Sequence, residues 1–489
     1  MKRTKKLTLL HSNDMHGDFL AEKVNETLVG GVSRLSGYIN KVRCEEKNVL
    51  YTIAGDMFQG SLIDSEFLGI STIEIVNLLA PDVVTLGNHE LDYGLAHLLF
   101  LEKCASFPIV NANMYIRLNG VRLFSPCLIR EIDGMRILFI GILTEEVLAH
   151  TKKEGLIGTL IDVEDAATEV ARICDAYRTE DIDCTVLLTH IGFENDKKLA
   201  ALLDPSLGVD IIIGGHSHTW LAAPCVVNGI PIVQAAVGTD QIGRFDLTID
   251  TDLNCLDSYN WQLIPITPEN CPRDPALESL IRRYKRTTDE KYSRILTRFP
   301  RAYTHPGRKM ETELGNLLAE CLREQLDVDL MLLASGSIRQ PSLGPIVTLK
   351  DFVEVFPFED AVFEFRMTGS QLRRAAAFLL RDASFDPHAH TEWYQFSRGF
   401  YCEYDRASHT ILSLKMNGSD VTDDALYSVT MQEYHFLSMD RFLDVPHEEV
   451  AKNGPVRKVA TLARNVLEEY FVANDLITLD GERRLVITG

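Results

Sequence analysis

Five short apolar runs in this chain each end in a polar residue able to bind a metal ion. Residues 7–10 lead into His11-Ser12-Asn13-Asp14-Met15-His16, Val49–Ala54 into Gly55-Asp56, and residues 83–86 into Gly87-Asn88-His89-Glu90. Residues 185–188 lead into Thr189-His190, and Ile211–Ile213 into Gly214-Gly215-His216-Ser217-His218. Apolar runs of this length, bounded by glycine and polar residues, read as buried strands. In layered α/β folds, ligands gather at the C-terminal strand ends, where the loops converge. Asp14, His16, Asp56, Asn88, His190, His216 and His218 are therefore expected at one rim. All offer oxygen or nitrogen and none a thiolate, which suits two divalent ions such as Mn²⁺, Zn²⁺ or Fe²⁺. Two such ions can clamp a phosphate for in-line attack. Singly, each residue is weak evidence, since an Asp after a strand is often only a helix cap. The combination, in this order, carries the reading.

A chain of 489 residues exceeds one typical core and predicts two domains. The formal net charge of -21 predicts a protein that repels polyanions, and no long Lys/Arg cluster offers a footprint for nucleic acid. The basic start, Met1-Lys2-Arg3-Thr4-Lys5-Lys6, precedes an apolar run too short for a secretory signal, so it reads as the opening of a core strand. No stretch approaches membrane-spanning length. The ten cysteines form no C-x-x-C pair and read as reduced thiols, which predicts a cytoplasmic address.

From residue 7 to about residue 266, strand-like runs alternate with helical stretches at 71–79, 95–105 and 165–177, an α/β layer pattern. Later strands at 231–237, 245–249 and 261–264 without intervening helices predict a mixed sheet or sheet sandwich. Pro265, Pro268, Pro272 and Pro275 then mark a boundary, followed by a charged helical stretch at 276–291. The expected division is 1–266, a linker helix within 267–293, and a second domain over 294–489. That second domain is expected to hold helices at 313–325, 370–380 and 456–471. Its expected strands lie at 330–333, 361–367, 400–404, 411–416 and 426–430.

The series D-x-H, G-D, G-N-H-E and G-H-x-H resembles the calcineurin-like metallophosphoesterases. The resemblance implies a four-layer αββα sandwich in which Asp14, His16 and His218 bind one metal. Asp56 would bridge both metals, and Asn88, His190 and His216 would bind the second. It further implies two divalent ions, Mn²⁺ or Zn²⁺, with a hydroxide between them attacking phosphorus. His89 would stabilise the transition state or protonate the leaving oxygen, oriented by Asp92.

The motif order narrows the resemblance to the 5'-nucleotidase family of cytoplasmic bacterial type, whose second, smaller α/β domain binds substrate. Glu313-Leu314-Gly315-Asn316-Leu317, Ser335-Gly336-Ser337-Ile338-Arg339 and Phe356-Pro357-Phe358 resemble its motifs. They imply that Arg308 and Arg339 hold phosphate and that Phe358 stacks on a base. In the last motif, Tyr434 matches a second stacking aromatic and Asp440 a ribose-contacting acid. The family's glycines there are replaced by Ser438, Met439 and Arg441. The expected activity is phosphate release from nucleoside 5'-monophosphates, with a nucleotide or related small phosphate ester as partner. The altered segment keeps open a nucleotide-sugar, nucleoside-diphosphate or cyclic-nucleotide hydrolase, and a non-catalytic nucleotide-binding protein stands as a further alternative. Oligomeric state is not legible in the sequence.

Overall fold

The computed structural model describes residues 3–24, 26–116, 118–144, 157–159, 163–386, 389 and 391–489. The chain forms two compact units, Met1–Thr288 and Asp289–Gly489.

The first unit is built on two six-stranded sheets. One contains β1 (Thr4–Ser12), β2 (Val49–Ala54), β3 (Val83–Thr85), β4 (Ile109–Val110), β11 (Gln241–Asp250) and β12 (Cys255–Pro265), in the order β12-β11-β1-β2-β3-β4. The other contains β5 (Cys127–Ile132), β6 (Met135–Leu143), β7 (Cys184–His190), β8 (Ile211–Ile213), β9 (Cys225–Val227) and β10 (Ile230–Val233), in the order β9-β10-β8-β7-β6-β5. β1, β2 and β3 run parallel, as do β6, β7 and β8. The first sheet ends at one edge in antiparallel β11 and β12, and the second carries antiparallel β9 and β5 at its edges, which accounts for the later runs without helices between them.

Side chains alternate across each strand. Leu7 and Leu9 enter a core between the sheets with Ala54, Phe139, Val186 and Ile213, whereas Leu10 faces outward. There it meets the apolar stripes of helices α1 (Val32–Glu45), α2 (Ile70–Leu79) and α3 (Leu95–Cys104). The outer face of the second sheet buries Ile140, Leu187 and Ile212 against α4 (Val163–Ala176) and α5 (Phe193–Leu202). The result is the expected four-layer αββα sandwich. Helix α6 (Pro275–Tyr292) follows the proline-rich stretch. Its Leu277, Ile281 and Tyr284 pack into the first unit's outer core, so its first half belongs to that core.

The second unit centres on a five-stranded sheet containing β13 (Met331–Ala334), β14 (Val362–Thr368), β15 (Tyr394–Phe396), β18 (Leu426–Gln432) and β19 (Arg457–Ala460). Beside it lies a four-stranded sheet that includes β16 (Phe400–Asp405) and β17 (Thr410–Met416). Met331 and Leu333 face one core with α7 (Glu313–Leu326) and α9 (Ala463–Ala473); Leu330 and Leu332 face another with α8 (Gly369–Leu379). The helix expected over 456–471 is corrected. Arg457–Ala460 instead pairs antiparallel with β14 at the sheet edge, and the helix begins at Ala463. No described helix is long and apolar enough to cross a membrane.

Candidate metal centre and substrate cavity

The seven residues expected at one rim do converge within the first unit. Asp14 and His16 follow β1, Asp56 follows β2, Asn88 follows β3, His190 ends β7, and His216 and His218 follow β8. Since β1–β3 are mutually parallel and β7 is parallel to β8, the chain delivers these loops from like strand ends. Asp14, His16 and His218 each offer one ligand atom within 4.8 Å of one another, and so do Asp56, His190 and His216. Asn88 Oδ1 lies 2.8 Å from His216 Nδ1. His190 Nε2 stands 3.1 Å from Asp56 Oδ2 and 3.9 Å from Asp14 Oδ1.

The loops hold this geometry at a conformational cost. Asp14, His16, Asp56, His216 and His218 all have φ between 48° and 78°. Non-glycine residues avoid this left-handed region at about 1–3 kcal/mol each, and such residues cluster at functional sites. Surrounding hydrogen bonds fix them in place. The His216 amide donates to both carboxylate oxygens of Asp14, at 2.9 and 3.1 Å. Asn13 Nδ2 donates to Asp14 Oδ2 at 2.6 Å and to the Ala236 carbonyl, while its Oδ1 accepts from the Ala235 amide. Glu90, fully buried, accepts from the amides of Asp56 (3.0 Å), Met57 (2.6 Å) and Gly87 (2.5 Å), tying the β2 and β3 loops together. Glycine is required where these loops cross. A Cβ on Gly87 would sit 2.1 Å from Asp56 Oδ1, and one on Gly215 2.6 Å from the Ala54 carbonyl.

The residues present fit a divalent ion. His190 Nε2 is buried and faces the Asp56 carboxylate at 3.1 Å without hydrogen-bond geometry, while its Nδ1 is fixed 2.8 Å from the Ala54 carbonyl. An orienting bond on the far ring nitrogen is the usual support of a metal-ligating histidine. His16 repeats the pattern: Nδ1 lies 3.0 Å from the Gln59 carbonyl, and Nε2 points toward His218 Nε2 at 3.0 Å. Burial alone would lower the His190 pKa, but Asp56 and Asp14 outweigh it and raise it to about 10. Burial alone would raise the pKa of Asp56. The His190 ring and the His89 amide outweigh it and hold the carboxyl below the usual range. A divalent ion held by these groups would take the place of the His190 proton, which would couple binding to proton release.

His89 lies at the edge of the cluster, its ring 5.2 Å from that of His16. Its Nδ1 is 2.6 Å from Asp92 Oδ2, and that hydrogen bond raises its pKa against the opposing effect of burial. Asn13, Glu90 and the Thr189–Asp196 pair (2.6 Å) escaped the sequence reading, although each lies within or beside a quoted motif. Their contacts depend on pairings with distant loops.

In the second unit, Arg308, Arg339, Phe358 and Tyr434 line one cavity of about 620 Å³. Phe358 and Tyr434 are 39% and 53% exposed, too open for core aromatics. The Arg339 guanidinium lies over the Phe358 ring at 5.6 Å, and Arg308 approaches Glu392 at 3.7 Å. Asp440 is exposed and does not line the cavity, whereas its neighbours Arg441 and Phe442 do. Lys309, Glu392 and His435, which the motifs do not single out, also line the cavity.

Two family models match the chain: calcineurin-like phosphoesterase over residues 7–220, and 5'-nucleotidase C-terminal domain over residues 288–446. Mouse 5'-nucleotidase is 28% identical over 417 residues, covering 76% of this chain and 70% of that protein. Endonuclease YhcR of Bacillus subtilis is 25% identical over 460 residues, covering 88% of this chain and 37% of that protein. The crystal structure of a 5'-nucleotidase precursor from Thermus thermophilus shares the fold, with TM-score 0.62 and 22% identity over 99% of both chains. Calcineurin-like phosphoesterases use divalent metals, in keeping with the clustered ligand groups. The chain is a hydrolase of the 5'-nucleotidase family, joining a calcineurin-like phosphoesterase domain to a 5'-nucleotidase C-terminal domain.

Proposed function

We propose that the protein is a dinuclear-metal phosphohydrolase that removes phosphate from nucleoside 5'-monophosphates. The convergence of Asp14, His16, Asp56, Asn88, His190, His216 and His218 at like strand ends carries this reading. Asp14, His16 and His218 would hold one ion and Asn88, His190 and His216 the other, with Asp56 shared between them. Mn²⁺ and Zn²⁺ suit this nitrogen and oxygen set. When bound, such ions lower the pKa of water toward neutrality and polarise phosphate oxygens.

The chain's own residues supply the rest. His89, its Nδ1 engaged by Asp92, would hold on Nε2 a proton for the leaving 5' oxygen. Asp92 fixes the ring orientation and favours the charged form. Arg308 and Arg339 offer forked donors to phosphate oxygens, and Phe358 and Tyr434 offer faces for a base. Asp440 is assigned to the ribose on motif position alone. A cytoplasmic address is supported by the ten cysteines, all free thiols. A small-molecule rather than a nucleic-acid substrate is supported by the net charge of -21.

The test is phosphate release from AMP, UMP, ADP, UDP-glucose and a cyclic nucleotide with added Mn²⁺, before and after EDTA. Metal-dependent release from the 5'-monophosphates is the expected result. Release only from a cyclic diester or an aryl phosphate would remove the nucleotidase assignment and leave the metal centre. The second reading, a hydrolase of nucleotide sugars, diphosphates or cyclic nucleotides, draws on one observation. The altered segment places Arg441 in the cavity wall, where the family pattern has glycine.

A further inference from the structure

The first unit holds a cavity of about 280 Å³ that none of the seven candidate metal ligands lines. It lies at the start of α1, and every residue of its wall belongs to the first unit. Phe19, Leu20, Leu28 and Ile281 make one part of the wall apolar. Arg34, Arg273, Arg282 and Glu278 bring charge to the rest.

Arg34 sets this cavity apart. It stands in the first turn of α1 and is only 8% exposed. Its guanidinium nevertheless forms no hydrogen bond and no ion pair among the described residues. The one acid in the wall is already engaged, for Glu278 lies 3.3 Å from Arg273 and 3.7 Å from Arg282. Glu269 and the Cys271 thiol sense the Arg34 charge without bonding it. Arg484, the other cation buried this deeply among the described residues, has Asp480 at 3.2 Å. A charge taken out of water is strongly disfavoured unless it is paired. The Arg34 nitrogens are not sealed off, so the guanidinium stays open to a partner that enters the cavity.

The helix adds to the same polarity. Gly31 at the N-cap has no side chain to bond the first-turn amides, and the first turn contains no acid. The N-terminal end of a helix favours an anion. Gly31 has φ 87°, and a Cβ there would lie 2.8 Å from the Ala21 amide nitrogen, so only glycine lets the cavity wall approach the helix start this closely. Three guanidiniums against one carboxylate leave the lining positive in a chain of net charge -21.

We propose that this cavity is a binding site for a small organic oxyanion, a carboxylate or phosphate joined to an apolar body, with Arg34 as its ion partner. The forked guanidinium matches either oxyanion, and Phe19, Leu20, Leu28 and Ile281 cover the apolar body. The site shares no residue with the metal centre or with the cavity of the second unit, and it does not depend on the nucleotidase reading.

The test is calorimetry on the full chain in EDTA, with benzoate, phenyl phosphate, acetate and inorganic phosphate as probes. Benzoate or phenyl phosphate should bind about tenfold or more tightly than acetate or inorganic phosphate, as burial of a ring requires. The tighter of the two identifies the oxyanion. Arg34→Met should weaken that binding about ten- to a hundredfold, the loss typical of a hydrogen bond to a charged group. Leu28→Asp, at a position 39% exposed, sets a repelling carboxylate in the wall and should also weaken it. A thermal melt checks that each variant is folded, and Leu28→Asp decides the matter if Arg34→Met is not. Binding of no probe, equal binding of all four, or binding that the folded variants leave intact overturns the proposal.

Discussion

Gly87→Ala isolates the crossing of the β2 and β3 loops. The added Cβ would lie 2.1 Å from Asp56 Oδ1 and 2.4 Å from the Asp56 amide nitrogen. Because the clash is partly with backbone, no rotamer change relieves it. Reaching ordinary van der Waals contact requires Asp56 and the Gly87–Asn88 segment to separate by about 1 Å or more. Glu90 resists that separation, since its carboxylate binds the Asp56 and Gly87 amides at once. Overpacking of this kind costs about 1–3 kcal/mol of stability. A displacement of about 1 Å in a catalytic constellation costs on the order of a hundredfold in rate. Urea unfolding, manganese titration calorimetry and steady-state phosphate release on the variant would read the three consequences. The expected result is a small loss of stability, weakened metal binding and a roughly hundredfold fall in kcat/KM. Gly307→Ala, whose Cβ meets only the Met310 sulfur at 3.5 Å, serves as the control. Wild-type metal affinity and rate in Gly87→Ala would refute the argument that this close approach sets the position of Asp56.

Asp92→Asn should lower kcat about ten- to a hundredfold with little change in KM, because His89 loses its charged partner at 2.6 Å; an unchanged kcat counts against the proton-donor role. Phe358→Ala should raise KM for AMP by about 1–3 kcal/mol of lost stacking while sparing an aryl phosphate, which steady-state kinetics on both substrates would separate. EDTA should abolish phosphate release and Mn²⁺ restore it, and activity that survives chelation rules out the metal centre as catalyst. His11, buried without a hydrogen-bond partner and stacked 5.2 Å from Trp261, has its pKa lowered by burial from 6.5 to about 3. A depressed histidine pKa gives stability that is present above 6.5 and lost as pH falls toward 3. From pH 7 to pH 5 this group alone should withdraw about 2 kcal/mol, a slope that urea titrations should find removed in His11→Leu.

Strand patterning and loop chemistry are local, and so the chain alone shows where the candidate metal-binding residues stand. A buried strand needs a run of apolar residues, and the first polar residue past its end is placed at the rim. That is why Asp56 after β2 and His190 at the end of β7 could be read without coordinates. Phe358, singled out from a contiguous motif, is exposed and lines the cavity of the second unit. Tertiary structure decided what depends on contacts between residues far apart. The strand at Arg457–Ala460 exists because β14, far earlier in the chain, offers it an edge. The left-handed φ of Asp14, His16, Asp56, His216 and His218 is held by hydrogen bonds between loops that folding alone brings together. The choice of Arg441 and Phe442 rather than Asp440 for the cavity wall follows from Met439 and Leu443 locking into the core beneath their helix. Burial at one position fixes the direction of its neighbours, and that burial is a property of the packed whole.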